Sequence, residues 1–196
     1  MLTDTGAAGI RPTKDVDAIV EVTSYAMYAA LSERLRAIGL TEDMSKDAPL
    51  CRWRHRDIIF DVMPTDARVL GFSNTWYVPA IRCAQTVSIT GQQVRLVTPV
   101  YFIATKLEAF HGRGQDDVVM SHDLEDIVTV IDGRPEVASE IKAADPDVRN
   151  FITSEISQLL ANRVFTDSLS GFVNSDRASQ ARRPILEARL RAIADT

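Results

Sequence analysis

Two aspartates stand two residues apart in "RPTKDVDAIVEV", residues 11–22: Asp15 and Asp17. On a strand, residues i and i+2 point to the same face, so the two carboxylates share one small volume. Ionised side by side they repel each other unless a cation or a basic group lies between them. Such a pair suits a divalent ion, Mg²⁺ (or Mn²⁺), which is often held by one or two carboxylates together with substrate phosphates. A third carboxylate, Asp61, lies in "IIFDVMPTD", where Ile58, Phe60 and Val62 alternate with Asp57, Ile59 and Asp61. On neighbouring strands, three such groups can clamp two metal ions about 3.5–4 Å apart for an in-line phosphoryl displacement. Each residue also has a plainer explanation, as a solvated carboxylate at a strand end or on an outward strand face.

A second group of candidates sits further along. In "TPVYFIATKLEAFHGRG", Lys106 interrupts an apolar stretch whose packing residues are Tyr101, Phe102, Ile103, Leu107 and Phe110. It either snorkels to solvent or points at a fixed anion such as a nucleotide triphosphate. In "SHDLEDIVTVI", Ser121 is a helix cap and His122, Asp123, Glu125 and Asp126 occupy the first turn. Acidic residues there compensate the helix dipole. Asp123 and Asp126, spaced i, i+3, share one face, and a lysine fits between them. Between the two segments, "HGRGQDD" is a connector or a rim from which Arg113 reaches a phosphate. The His122-Asp123 dipeptide matches the start of a metal phosphohydrolase motif, but that chemistry needs several more histidines than His55 and His111.

The elements that must position these residues follow from the pattern. After the first strand, "TSYAMYAALSERLRAIG" reads as an amphipathic helix capped by Thr23 or Ser24 and stopped by Gly39, with Met27, Leu31, Leu35 and Ile38 turned to the sheet. "LCRWRHRDIIFDVMP" reads as a hairpin turning near His55 and Arg56 and ending at Pro64. A short helix near Trp76 to Cys83 and a hairpin turning at Gly91 come next. Thr98-Pro99 starts a helix, and the remainder reads as helices over 99–110, 121–131, 136–144, 148–162 and 180–194. This is an α+β, α/β-like pattern, a mixed-sheet core over 1–98 followed by a helical domain over 99–196.

The 196 residues are 45% hydrophobic and 25% charged, as in an ordinary globular protein. No apolar run suits a membrane span, and "MLTDTGAAGI" has no signal-peptide pattern, which points to the cytoplasm. The net charge of −5 argues against a surface that coats nucleic acid. Cys51 and Cys83 are isolated and read as reduced thiols. From Asp176 onward five arginines stand against three acidic residues, an excess that reads as the outer face of a helix.

Together, "RPTKDVDAIVEV", "IIFDVMPTD", "YFIATKLEAFHGRG" and "SHDLEDI" resemble the AbiEii/AbiGii-type nucleotidyltransferase toxins of the DNA polymerase β-like superfamily. The motifs occur in family order from about Arg11 to Arg134. The resemblance implies a metal-dependent nucleotidyltransferase that moves a nucleotide from an NTP to a tRNA 3′ end or a protein side chain. Asp15 and Asp17 match the paired metal-binding aspartates. Asp61 matches the third carboxylate, which helps to activate the attacking hydroxyl. Lys106 matches the phosphate-holding lysine, and Asp123 and Asp126 match a D-x-x-D element whose usual preceding lysine is His122 here. Arg11 and Thr13, beside the aspartate pair, complete the nucleotide-binding set with Lys106, Arg113, His122 and Asp126. Many members are the toxin half of a toxin–antitoxin pair with a helix-turn-helix antitoxin.

One departure from the family pattern stands out. Members carry a helix ending in Gly-Gly or Gly-Ser upstream of the aspartates, whereas "TDTGAAGI" offers only Gly6 and Gly9. A core short of one helix is expected to bind NTP weakly and to expose an apolar face for homodimerisation. The competing expectation is a catalytically silent protein of the same fold that acts by binding a partner or a nucleotide.

Overall fold

The computed structural model describes residues 2–3, 15–113, 117–173 and 176–196, with the side chain of Arg113 left aside. Strand β1 (Asp15–Val20) begins on the two aspartates and becomes progressively covered toward Ile19 and Val20. Helix α1 (Tyr25–Ala37) starts where the Ser24 hydroxyl accepts a hydrogen bond from the Met27 N–H at 3.3 Å. It ends at Ile38 and Gly39, the latter at φ +90°, a conformation that favours glycine. Leu35 faces the core and Leu31 packs against it, as expected, but Met27 and Ile38 are 47% and 70% exposed. Tyr28, Ser32 and Leu35 set the buried stripe instead. Their i, i+4, i+7 spacing puts Met27 and Ile38 on the helix flanks.

Three further strands complete the sheet: β2 (Thr41–Glu42), β3 (Arg52–His55) and β4 (Ile58–Pro64). The order is β1-β4-β3-β2, with β1 parallel to β4 and the other pairs antiparallel. Arg56 and Asp57 turn the β3–β4 hairpin, Arg56 in the left-handed region at φ +53°. Helix α2 (Ala67–Leu70) is capped by Asp66 and stopped by Gly71 at φ +82°. One face of the sheet meets α1 through a core of Val22, Tyr28, Leu35, Trp53, Val62 and Val69. Trp53 is 1% exposed, so truncating it to alanine is expected to cost about 3–5 kcal/mol.

Helix α3 (Tyr77–Cys83) leads to an antiparallel hairpin of β5 (Gln85–Ile89) and β6 (Gln92–Leu96). Thr90 and Gly91 both have positive φ, the twist that a two-residue hairpin turn requires. The chain is helical from there: α4 (Pro99–Arg113), α5 (His122–Gly133), α6 (Val137–Ala143) and α7 (Pro146–Ala161). They are followed by α8 (Arg163–Ser168), α9 (Arg177–Gln180) and α10 (Arg183–Ala194). Ser121, Asp145, Asn162 and Asp176 cap α5, α7, α8 and α9 with side-chain oxygens. Helix α4 packs on α5 and α7, and α10 packs on α5, α6 and α7. Ile103, Leu107, Leu124, Ile131, Ile152 and Leu186 are wholly buried among them.

The fold is α+β, with a sheet of mixed orientation and a helical C-terminal region, as the sequence pattern predicts. By compactness the chain divides into Arg11–Ile81 and a unit holding Arg82–Thr196. The sequence reading draws its boundary at 98/99; the β5–β6 hairpin belongs here to the helical unit. No helix among the described residues is long and apolar enough to cross a membrane.

Candidate active site

The parallel pairing of β1 with β4 sets Asp17 directly opposite Asp61, and Asp15 opposite Ile59. Directly opposed residues of paired strands project to the same side, and alternate residues along a strand share it. Asp15, Asp17, Ile59 and Asp61 therefore lie on one face. Phe60 and Val62, on the other, belong to the core that α1 covers. The three aspartates thus occupy the face turned away from α1. Asp15 and Asp17 are exposed on β1, the outermost of the described strands of this sheet. Asp61 does leave the apolar side of its strand.

The hairpin adds a residue that the sequence reading did not single out. Arg52 is the cross-strand partner of Asp61 in the antiparallel β3–β4 register. Its Nε donates to Asp61 Oδ1 at 2.9 Å and its Nη2 to Oδ2 at 2.7 Å. This fork-on-fork geometry is the strong form of an arginine–carboxylate pair. The Asp61 carboxylate holds the Arg52 guanidinium even more firmly protonated than usual, with the charge of Asp15 adding to the effect. Beside it, the Cys51 thiol is pushed up to about 11, first by burial and then by the Asp61 charge.

Carboxylate oxygens on one face are donors of the kind that Mg²⁺ or Mn²⁺ takes. Asp15 and Asp17 offer two such carboxylates, two residues apart on one strand face. The third carboxylate, Asp61, is engaged at both oxygens by Arg52. Consistently, among the described residues no group of three or more His, Cys, Asp or Glu side chains is placed to hold a metal ion.

In the helical unit, Lys106 neither reaches for solvent nor stands alone. Its Nζ lies 2.7 Å from Asp126 Oδ2 and 3.4 Å from Asp123 Oδ1, so one lysine of α4 bridges the i, i+3 pair on the first turn of α5. The Phe102 ring, one turn back on α4, lies 5.7 Å from the ammonium, within cation–π range. His122, 75% exposed, has Nδ1 3.3 Å from Glu125 on its own helix rather than near Lys106. His111 pairs with Glu155, joining α4 to α7. Arg11 and Thr13 lie outside the described residues, as does "TDTGAAGI", and of Arg113 only its place at the end of α4 is given.

The C-terminal arginines also differ from the expected outward face. Arg182 donates to the Asp132 carbonyl at 2.8 Å and Arg189 to the Ile131 carbonyl at 3.0 Å and to that of Asp132. These two close the C-terminal end of α5, where unpaired carbonyls and the negative end of the helix dipole collect.

No family model matches the chain, and no curated protein or solved structure matches it either.

Proposed function

We propose that the protein is a metal-dependent nucleotidyltransferase of the AbiEii/AbiGii toxin type, passing a nucleotide from an NTP to a tRNA or protein acceptor. The observation that carries this reading is the register of β1 against β4, which puts Asp15, Asp17 and Asp61 on one sheet face. An Asp-x-Asp pair meeting a third carboxylate across a parallel strand pair is the arrangement that nucleotidyl transfer asks for. The acceptor hydroxyl attacks the α-phosphorus in line, the bond from that phosphorus to the bridging oxygen breaks, and pyrophosphate leaves. Asp15 and Asp17 would hold a divalent ion such as Mg²⁺, which would supply charge neutralisation for the triphosphate. Asp61 takes the hydroxyl proton. The resemblance assigns Lys106 to phosphate, and here its ammonium is engaged by Asp126 and Asp123. A cytoplasmic toxin role beside a helix-turn-helix antitoxin is part of the same proposal, and the acidic net charge favours an acceptor held locally over one coated along its length.

A second reading has one observation in its favour. Arg52 neutralises Asp61, which suits a silent nucleotidyltransferase-fold protein that binds a nucleotide or a partner without chemistry. Calorimetric titration of each NTP in Mg²⁺, with Asp15→Ala plus Asp17→Ala as the control, separates the two from the bare fold. Metal-dependent binding that the double variant loses, followed by transfer of label from NTP to an acceptor, supports the enzyme. Metal-dependent binding without transfer to RNA or protein supports the silent reading. No binding by folded protein overturns the enzyme and favours the silent reading, with a partner in place of a nucleotide.

A further inference from the structure

We propose that the outer edge of β5 is a self-association surface, on which β5 of a second copy of this chain pairs antiparallel across a two-fold axis at Val87. Among the described residues the β5–β6 hairpin forms a two-stranded sheet by itself. Of its strand residues only Val87 and Leu96 are partly covered, while Ile89 and Val94 are 51% and 40% exposed. A hairpin of two strands is marginal in water until further strands or a packed face support it. The register sets Val87 opposite Val94 and Gln85 opposite Leu96, so Val87, Ile89, Val94 and Leu96 share one face. Thr86, Ser88, Gln93 and Arg95 take the other.

The backbone of β5 dictates how such a partner sits. The two-residue turn at Thr90 and Gly91 closes on the hydrogen-bonded pair Ile89 and Gln92. Such pairs alternate along an antiparallel ladder, so Val87 and Gln85 also spend their backbone groups on β6, and Thr86 and Ser88 point theirs outward. A second β5 centred on Val87 sets Thr86 against Ser88 of the second copy, and Ser88 against its Thr86. Both are hydrogen-bonded pairs, and both join hydroxyl side chains that favour each other across strands. Val87 meets its own counterpart in the close, non-hydrogen-bonded position on the apolar face. The strand is complementary to itself.

Charge selects the same edge. β5 carries no charged residue and no proline, the usual guards of an edge strand, whereas β6 carries Arg95. Pairing through β6 would bring Arg95 toward its own copy. No Asp or Glu stands between Asp66 and Glu108, although the chain has 27 acidic residues and a net charge of −5. Two copies repel through that net charge, and the hairpin lies in the longest acid-free stretch of the sequence.

The test is sedimentation velocity of the full chain, with concentration raised from the micromolar to the submillimolar range. Wild type is expected to pass from monomer toward dimer, with the weak affinity of a small interface. Thr86→Lys plus Ser88→Lys sets lysine against lysine twice across the axis, on an exposed face, and should weaken association on the order of tenfold. Ser88→Pro removes an outward N–H while leaving the ladder to β6 intact, and should weaken it as well. In a Cys83→Ser background, Val87→Cys should form a disulfide-linked dimer under copper phenanthroline, since a close cross-strand pair lies within disulfide reach. Gln93→Cys, on the strand away from the axis, should not. A wild type that stays monomeric throughout overturns the proposal, as does a dimer that the double-lysine variant forms equally well. If that variant fails to fold, the cross-link decides, and equal yields from Val87→Cys and Gln93→Cys overturn the proposal. A monomer that shifts only on added single-stranded RNA or extended peptide overturns it too, giving the edge to another occupant.

Discussion

Lys106 lies 2.7 Å from Asp126 and 3.4 Å from Asp123, so one ammonium on α4 compensates two carboxylates at the start of α5. The N-terminal end of α5 already favours negative charge, and Lys106 lets both acids stay where the helix packs. Lys106→Met should leave two partly covered carboxylates without their cation and cost about 1–3 kcal/mol, read as a lower urea midpoint. Adding Asp123→Asn and Asp126→Asn should restore most of that stability, because no charge is then left uncompensated. Under the proposed function, NTP affinity stays lost in the triple variant. Stability and affinity returning together would instead mark Lys106 as purely structural.

At the other end of the same helix, Arg189 donates to the carbonyls of Ile131 and Asp132. Arg189→Ala should lower the melting temperature through a loss of roughly 1–2 kcal/mol, the value of backbone acceptors left short of a donor. Arg182 still serves the Asp132 carbonyl, so the loss should be partial in the single variant and larger when Arg182→Ala is added.

Asp43 should stay ionised to lower pH than an ordinary carboxylate. Its carboxyl is pulled down to about 2, first by the Ser45 hydroxyl at 2.7 Å and next by Arg54 at 2.6 Å. A folded value below the unfolded one means that the contribution is complete above about pH 4 and disappears as pH falls through about 2. Wild type should therefore melt above Asp43→Ala at pH 6, and the two curves should converge between pH 4 and 2. A gap that persists at pH 2 would assign the effect to packing rather than charge.

The two cysteines should differ sharply toward alkylation. Cys51 is buried, and its thiol is pushed up to about 11, whereas Cys83 is exposed. Iodoacetamide at pH 8 should modify Cys83 in the native protein and reach Cys51 only with unfolding, as intact mass over time will report. Two rapid additions would show that the β3–β4 hairpin opens readily.

Much of this was legible in the sequence because it is local. The i, i+2 spacing of Asp15 and Asp17, the hairpin turn (read near His55 and Arg56, found one residue on at Arg56–Asp57) and the Thr98-Pro99 helix start all lie within a few residues of their cause. The face of α1 was less legible. Hydrophobicity selects Met27 and Ile38, while packing selects Tyr28 and Ser32, because a helix phase is fixed by the best-fitting stripe and not by the most apolar one. Arg52 was missed although its signal was present. A two-residue turn pairs His55 with Ile58, and counting outward along both strands brings Arg52 against Asp61. Helices α2, α8 and α9 are too short for any periodicity to declare them. The inward turn of Arg182 and Arg189 depends on α5 and α10 meeting, which no local pattern encodes.

The β3–β4 hairpin has a consequence in time. Arg52 and Asp61 are only nine residues apart, whereas Asp17 reaches Asp61 across the whole of α1, β2 and β3. Short loops close first, and parallel pairing over a long connection waits on the structure between. Each molecule is thus expected to acquire its guanidinium clasp before the two edge aspartates arrive, and pulse-labelled amides of β3 and β4 should gain protection ahead of those of β1. A newly made chain would then pass through folding with the Asp61 carboxylate already engaged by its hairpin partner.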